Sequence, residues 1–195
     1  MNSKLQKNIV IFASGAGSNT KKIIDYFKGN QNVSIALIVC NNPGAGVLDI
    51  ATKENIPVLM ITKNEFAQTG YGQQIKSFQP DLIILAGFLW KIPEILVASF
   101  PQKIINIHPA LLPAYGGKGM YGNAVHSAVI SGKEKQSGIT IHYVDEKYDN
   151  GKIIFQESCD VTENDTVESL SEKIHELEHE FYPKIIDRLL KEIKS

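Results

Sequence analysis

The stretch NIVIFASGAGSN, residues 8–19, indicates how this chain folds. Its first half is a nearly continuous apolar run, which is typical of a β-strand covered on both faces. Its second half is a glycine turn of the kind that leads from a strand into a helix. Four further short apolar segments predict strands, at Val33–Cys40, Pro57–Ile61, Leu82–Gly87 and Lys103–His108.

Helical stretches separate these strands, at Asn19–Phe27, Gly46–Glu54, Glu65–Phe78 and Pro93–Phe100. Strands that alternate with helices build parallel sheets, because each helix returns the chain to the same end of the sheet. We therefore expect an α/β fold, a doubly wound and mainly parallel sheet with right-handed crossovers.

The pattern changes after His108. A helix is predicted over Asn123–Ile130, and two strands follow at Ile139–Val144 and Ile153–Ser158. The loop between these strands ends in Asn150-Gly151, and Asn-Gly is a strong signal for a hairpin turn. The C-terminal part of the sheet is therefore expected to be an antiparallel hairpin.

A long amphipathic helix is predicted last. Asp165 is expected to cap it, with Glu168 as the partner at the third helical position. The helix carries one apolar stripe: Val167, Leu170, Ile174, Leu177, Phe181, Ile185 and Leu189. Because neither an internal repeat nor a linker segment is apparent, residues 1–195 are expected to form a single domain.

Charge and composition argue against several classes of partner. Lys and Arg number 20 against 21 Asp and Glu, so no general field favours nucleic acid or an anionic membrane. The apolar run at residues 9–13 is shorter than a usual signal-peptide core, and no segment approaches the ~20 apolar residues of a membrane span. Cys40 and Cys159 match no metal or redox spacing, which favours free thiols and a cytoplasmic protein.

The turn Gly15-Ala16-Gly17-Ser18-Asn19 favours phosphate binding. Its backbone N–H groups lie at a helix N-terminus, and glycine permits an anion to approach closely. A dinucleotide fingerprint would need a third glycine where Thr20 stands, and an acidic residue where the second strand ends in Asn41-Asn42-Pro43. NAD binding is therefore disfavoured, and a tight turn without ligand is the remaining alternative.

Asn106 and His108 are the strongest candidates for chemistry. Residues two apart on a strand project from the same face, and Pro109 ends this strand where α/β sheets bind ligands. An amide can stabilise an oxyanion, and an imidazole changes charge near neutral pH. A hydrogen-bonded core histidine is the alternative. Asp149 and Asp145, in the hairpin loop, could serve ordinary turn chemistry instead.

The segment His175-Glu176-Leu177-Glu178-His179 matches the zinc-protease pattern H-E-x-x-H. A zinc protease also needs a third ligand and a supporting fold, and an α/β sheet with this segment on its last helix offers neither. We therefore interpret the match as a coincidence in a helix rich in Glu and Lys, and expect no metal site.

Five segments, taken together, carry a resemblance to a known family: NIHPALLP at residues 106–113, LAGF at 85–88, GITIHYV at 138–144, DNG at 149–151 and GAGSN at 15–19. In order and spacing the chain resembles the folate-dependent formyltransferases. Within them it is most similar to the stand-alone members that act on 5-phosphoribosylglycinamide in purine (IMP) synthesis. The resemblance covers essentially the whole chain and implies a Rossmann-like formyltransferase fold.

The resemblance implies roles for individual residues. Asn106, His108 and Asp149 match the family's catalytic trio, Glu178 matches an acidic residue that holds the glycinamide amine, and His142 matches a second histidine near the site. The residues matching the loop for the substrate phosphate are Gly17, Ser18 and Asn19. Those matching the folate segments are Leu89, Trp90, Lys91 and Ile92, then Asp145, Glu146, Lys147 and Tyr148, together with Asn106.

The implied reaction moves the formyl group of 10-formyltetrahydrofolate, a co-substrate and not a bound cofactor, to the amine of 5-phosphoribosylglycinamide. Asn106 and a protonated His108 would stabilise the negative oxygen of the tetrahedral intermediate. Asp149 would raise the pKa of His108 and assist proton transfer. No metal, redox cofactor or macromolecular partner is implied, and both a monomer and a homodimer remain open.

Other members of the family formylate methionyl-tRNA or amino-sugar nucleotides, or hydrolyse formyl-folate. The tRNA enzyme and the hydrolase normally carry a further domain, for which this chain offers no room. A non-catalytic folate- or nucleotide-binding module is the alternative from another class. The chain also departs from the family pattern: Trp90-Lys91 stands where relatives often have Arg, and the loop at residues 116–122 differs from the commoner histidine-containing form.

Overall fold

The computed structural model describes residues 6–193 as one seven-stranded sheet flanked by helices on both faces. The strands are β1 (Lys7–Ala13), β2 (Val33–Cys40), β3 (Val58–Met60), β4 (Leu82–Leu85), β5 (Ile104–His108), β6 (Gln136–Tyr143) and β7 (Ile153–Asp160). The helices are α1 (Ser18–Phe27), α2 (Val47–Lys53), α3 (Lys63–Thr69), α4 (Gly72–Ser77), α5 (Glu94–Ser99), α6 (Asn123–Ser131) and α7 (Val167–Glu192).

The strand order is β3-β2-β1-β4-β5-β6-β7, and the fold prediction is confirmed. Strands β1 to β5 pair in parallel, whereas β6 pairs antiparallel with both β5 and β7. The order reverses between β1 and β4, because β2 and β3 lie on one side of β1 and the later strands on the other. A crevice opens at such a reversal, at the carboxyl ends of the strands.

Two apolar clusters cover the two faces of the sheet. One joins the sheet to α1, α2, α6 and α7, and the other joins it to α3, α4 and α5. Side chains of β1 alternate between the clusters, with Ile9 and Ile11 in the first and Val10 and Phe12 in the second. Burial on both faces explains why this strand is a continuous apolar run.

The helix predicted over Glu65–Phe78 is two helices in the structure. α3 ends at Gly70, whose φ of 59° lies in the left-handed region, and Tyr71 follows with φ 54°. Left-handed residues stop the helical hydrogen-bond pattern, so the chain turns here and α4 starts afresh. The apolar periodicity had concealed this break, because Phe66 and Ile75 pack into the same cluster.

The predicted cap of α7 was wrong by one residue. Thr166 is the N-cap, and its hydroxyl accepts a hydrogen bond from the Ser169 N–H at 3.2 Å. The Ser169 hydroxyl in turn accepts from the Thr166 N–H at 3.0 Å, which completes a capping box. Asp165 instead accepts the Ser169 hydroxyl proton and pairs with Lys173.

Tyr182 anchors α7 to the sheet. Its side chain is completely buried, and its hydroxyl donates to the Leu85 carbonyl at the end of β4, at 3.0 Å. This bond fixes the helix against the carboxyl ends of the strands, one turn after Glu178. Over residues 6–193, no helix combines the length and apolar character that crossing a bilayer requires.

Candidate active site

A cavity of about 670 Å³ opens at the carboxyl ends of β1, β4 and β5. The structure brings into its wall almost every residue singled out from the sequence: Gly17, Ser18, Asn19, Leu89, Trp90, Lys91, Ile92, Asn106, His108, His142, Asp145, Lys147, Tyr148, Asp149 and Glu178. Glu146 is the exception, because its side chain is exposed outside this wall.

Gly17 shapes the turn at one end of the cavity. Its φ of 82° is left-handed, and a Cβ there would lie 2.9 Å from both Val47 and Ile50 of α2. Only glycine satisfies both conditions without strain. The helix that starts at Ser18 has no side-chain cap for its first N–H groups, and Ser18 and Asn19 both line the cavity. Such a helix start attracts an anion.

Glu178 lies beside this turn although it comes from the last helix. Its Oε2 accepts a hydrogen bond from Asn19 Nδ2 at 2.8 Å, which ties α7 to α1. Burial raises the pKa of Glu178, against the smaller effects of the Asn19 amide and of His175. Asn19 Oδ1 is buried without a partner. A donor group of a ligand would therefore find two acceptors at this point.

His108 is held in one tautomer. Its Nε2 lies 2.8 Å from the Tyr115 carbonyl oxygen, which can only accept, so Nε2 carries the proton. The neutral ring then has a free lone pair on Nδ1, which lies 3.6 Å from Asp149 Oδ2. A proton that arrived at Nδ1 would meet this carboxylate directly. The arrangement favours His108 as a base whose protonated form Asp149 stabilises.

Asn106 is oriented by His142 on the neighbouring strand β6. His142 Nδ1 lies 2.8 Å from the Tyr143 carbonyl and donates to it, which leaves Nε2 as an acceptor. Asn106 Nδ2 lies 3.2 Å from this nitrogen and donates one of its two protons. The second N–H of the amide remains for a ligand oxygen. His142 therefore decides which end of the Asn106 amide is a donor.

Asp149 sits at the tip of the hairpin loop in the left-handed region, with φ 50°, which Asp tolerates better than most residues. Its Oδ2 accepts the Gly117 N–H at 2.9 Å, and its Oδ1 lies 3.6 Å from His142 Nε2. Burial raises its pKa, but the interactions with His142, Gly117 and His108 together outweigh this and lower it. The carboxylate is therefore charged at neutral pH.

Asp149 raises the pKa of His108, as expected, but the net shift of this pKa is downward. Burial lowers this pKa, and that effect exceeds the opposite ones from Asp149 and the Tyr115 carbonyl. The imidazole side chain is only 3% exposed, so its charged form loses most of its hydration. His108 is therefore neutral at pH 7, as a base must be before it takes a proton.

The other end of the cavity is apolar. Phe88 and Trp90 pack edge to face at 6.2 Å between ring centroids, and both rings also contact Phe66. The Leu89 N–H donates to the hydroxyl of Ser14 at 3.0 Å, which holds this segment against the end of β1. The Leu89 side chain itself is exposed at the cavity. A flat, partly apolar ligand fits such a wall.

The H-E-x-x-H segment serves the cavity wall through His175 and Glu178. The His175 and His179 rings stack with their centroids 6.1 Å apart, and His179 does not line the cavity. Within the part of the chain that the structure describes, residues 6–193, no group of three or more His, Cys, Asp or Glu is placed to hold a metal ion.

Three contributions to the site were missed from the sequence. Two are backbone groups, the Tyr115 carbonyl and the Gly117 N–H. The sequence does not reveal their role, because nearly every residue type carries the same backbone groups. The third is His126 on α6, which is buried and lines the cavity. A histidine on the buried face of a helix was the available signal, because that face is otherwise apolar at Val125 and Val129.

Comparison with known proteins places this arrangement in a family. The family model described as "Formyl transferase" matches residues 7–186. Phosphoribosylglycinamide formyltransferase of Bacillus subtilis is 38% identical over 190 residues, which cover 94% of this chain and 95% of the relative. The chloroplastic enzymes of that name from Arabidopsis thaliana and Vigna unguiculata are each 38% identical, but this chain spans 66% and 62% of their lengths.

Solved structures agree with these relatives. A glycinamide ribonucleotide transformylase from Geobacillus kaustophilus superposes with a TM-score of 0.86 at 35% identity, covering 95% of this chain and 99% of that one. A phosphoribosylglycinamide formyltransferase from Bacillus halodurans gives a TM-score of 0.85 at 37% identity, covering 94% and 95%. The residues that the family model matches, 7–186, include all seven strands and most of α7. The chain therefore belongs to the formyl transferase family.

Proposed function

We propose that this protein transfers the formyl group of 10-formyltetrahydrofolate to the amine of 5-phosphoribosylglycinamide in purine biosynthesis. Residues 1–195 would act as one formyltransferase domain. The observation that carries the proposal is the cavity itself, which joins a free helix start at Gly17 to Asn106, His108 and Asp149. The names of the relatives support the choice of substrates.

The amine substrate occupies the end of the cavity formed by α1 and α7. Its phosphate binds the free N–H groups of Ser18 and Asn19, where the helix dipole favours negative charge. Glu178 and the side-chain oxygen of Asn19, Oδ1, accept hydrogen bonds from the donor groups of the glycinamide. The amine then points toward Asn106 and His108.

The folate co-substrate occupies the apolar end. Leu89, Trp90 and Ile92 form one wall, and Asp145 and Tyr148 in the hairpin loop form the other. The loop is ordered from within, because Asp145 accepts hydrogen bonds from the Lys147 N–H and from Asn150, each at 2.8 Å. The formyl carbon reaches the reaction centre from this side. Folate is consumed as a substrate, so no resident cofactor takes part.

Attack of the amine on the formyl carbon produces a tetrahedral carbon with a negative oxygen. The free N–H of Asn106 donates to this oxygen, and it is preorganised because His142 already holds the amide. His108 Nδ1 takes a proton released by the attacking amine. The imidazolium that forms is stabilised by Asp149 and by the Tyr115 carbonyl. His108 then gives this proton to the folate nitrogen, the bond between that nitrogen and the formyl carbon breaks, and the negative oxygen becomes the carbonyl of the formylated product.

The deciding experiment supplies purified protein with both compounds and follows deformylated folate by absorbance and formylated product by mass. Transfer that needs both compounds supports the proposal. Folate turnover without amine would identify a hydrolase, and binding without turnover would identify a non-catalytic module. The dephosphorylated riboside is the matched substrate control, and its KM is expected to rise by about 10²-fold or more because the helix start loses its anion.

A further inference from the structure

His126 occupies the stretch of cavity wall between the reaction centre and the phosphate loop. It projects from α6, and the titratable side chains that influence it are His175 on α7 and His108 on β5, which also line the cavity. The side chain is 2% exposed, and its Nδ1 is buried without a hydrogen-bond partner. The proposed mechanism assigns it no role.

A purely structural histidine does not account for this position. Val125 and Val129 fill the neighbouring buried positions of α6 with apolar side chains, and a further apolar residue would pack there without a polar cost. A buried ring nitrogen without a partner is unfavourable, and structural histidines avoid it by bonding to backbone or water. The ring nevertheless lines the cavity, and its other nitrogen, Nε2, is not shielded in this way, so Nε2 is the atom that a ligand can reach.

The chemistry of the ring narrows the choice of partner. Burial lowers the pKa of His126, and positive charge on His175 or His108 would lower it further, so the ring is neutral at pH 7. A neutral imidazole has one donor and one acceptor nitrogen, which matches a hydroxyl. A phosphate dianion would favour a cationic partner, and the free helix start already serves it.

The position of His126 in the cavity wall and the hydrogen-bonding capacity of its neutral ring both point to a hydroxyl of the sugar. If the phosphate lies at Ser18 and the amine at His108, the ribose lies between them, beside His126 and Glu178. We propose that His126 binds a ribose hydroxyl of the amine substrate and selects ribonucleotides over deoxyribonucleotides. The inference rests on the proposed function and adds a substrate-binding residue to it.

The test compares the KM and kcat of two enzymes on three substrates. Wild type and His126→Ala are assayed with 5-phosphoribosylglycinamide and with its 2′-deoxy and 3′-deoxy counterparts. We expect the substitution to raise KM for the ribonucleotide about 10-fold, the effect of one lost hydrogen bond, with kcat changed less than about 3-fold. One of the deoxy substrates is expected to show no further loss, because the partner of His126 is already missing.

Two variants separate binding from packing. His126→Gln places an amide near the position of Nε2 and is expected to recover part of the affinity. Val125→Ala removes a neighbouring buried side chain from the same helix and is expected to lower the melting temperature without changing discrimination between ribose and deoxyribose. Melting curves of all variants show which of them are folded.

Equal losses on all three substrates, or a loss in kcat with KM unchanged, would overturn the assignment. Calorimetric titration with ribose 5-phosphate and with its 2-deoxy and 3-deoxy counterparts gives the same comparison without catalysis. If wild type transfers no formyl group, the proposed function fails. The titration then decides separately whether His126 recognises a ribose hydroxyl, and equal binding of all three sugar phosphates before and after His126→Ala rejects it.

Discussion

Replacing Asp149 with Asn tests the centre of the mechanism with the smallest change of shape. The variant keeps an oxygen that can accept the Gly117 N–H but removes the charge 3.6 Å from His108 Nδ1. At that distance two unit charges attract by roughly 1 kcal/mol in water and by roughly 4 to 5 kcal/mol at an effective dielectric constant near 20. The side chains are 3% and 11% exposed, so the larger value is closer.

Each 1.4 kcal/mol lost from the transition state costs a factor of ten in rate, so Asp149→Asn is expected to lower kcat by about 10² to 10³. The pH profile should move as well. Asp149 raises the pKa of His108, so its removal lowers that pKa further. Because the base must be neutral, the acid limb of kcat/KM lies below pH 6.5 in wild type and shifts to still lower pH in the variant.

The measurement is steady-state kinetics from pH 5 to pH 9 with both substrates saturating in turn. Asp81→Asn is the matched control, because it removes another partly buried carboxylate, which pairs with Lys7 at the opposite end of the sheet. That variant is expected to keep wild-type kcat and pH profile. A kcat for Asp149→Asn within about 3-fold of wild type, or an acid limb moved to higher pH, would refute the role given to this residue.

Three further predictions concern the groups around this centre. His142→Phe keeps a ring but frees the Asn106 amide, so kcat falls about 10-fold while both KM values are kept. Glu178→Gln is expected to raise the denaturation midpoint at pH 8 but not at pH 4. Because burial raises the pKa of Glu178 in the folded protein, the fold loses stability as the pH rises through this pKa and the side chain becomes charged, whereas Gln stays neutral. Gly116→Ala places a Cβ 2.6 Å from Leu112 Cδ2 and 3.3 Å from the Cβ of Asp149, so kcat falls about 10-fold or more through displacement of the loop.

Each of these predictions has its own check. An unchanged kcat in His142→Phe would show that catalysis does not depend on His142 holding the Asn106 amide in one orientation. Urea titrations at both pH values test Glu178→Gln, and an equal gain at each would refute the burial argument. Gly44→Ala is the control for Gly116→Ala, since its Cβ meets only Asn42 Oδ1 at 3.6 Å, and it should leave kinetics unchanged.

Local pattern was a good guide where burial and turn chemistry dominate. The continuous apolar run of β1 and the Asn150-Gly151 turn were sufficient to predict parallel strands and a hairpin, and both are present. The apolar pattern gave a wrong prediction where one long helix and two short helices would bury the same residues. Periodicity could not show that Gly70 and Tyr71 interrupt a helix, because the residues on both sides pack into one cluster.

Local sequence patterns were enough to predict the fold class, the glycine turn and the position of Asn106 and His108 on one face of a strand. These follow from periods of two and 3.6 residues and from the freedom of glycine, which are properties of short segments. Tertiary packing brings Asp149 Oδ2 to 3.6 Å from His108 Nδ1, Glu178 against Asn19, and His126 into the cavity wall. It also decided the charge of His108, because burial depends on every element that covers the ring and its cost here exceeds the attraction of one carboxylate.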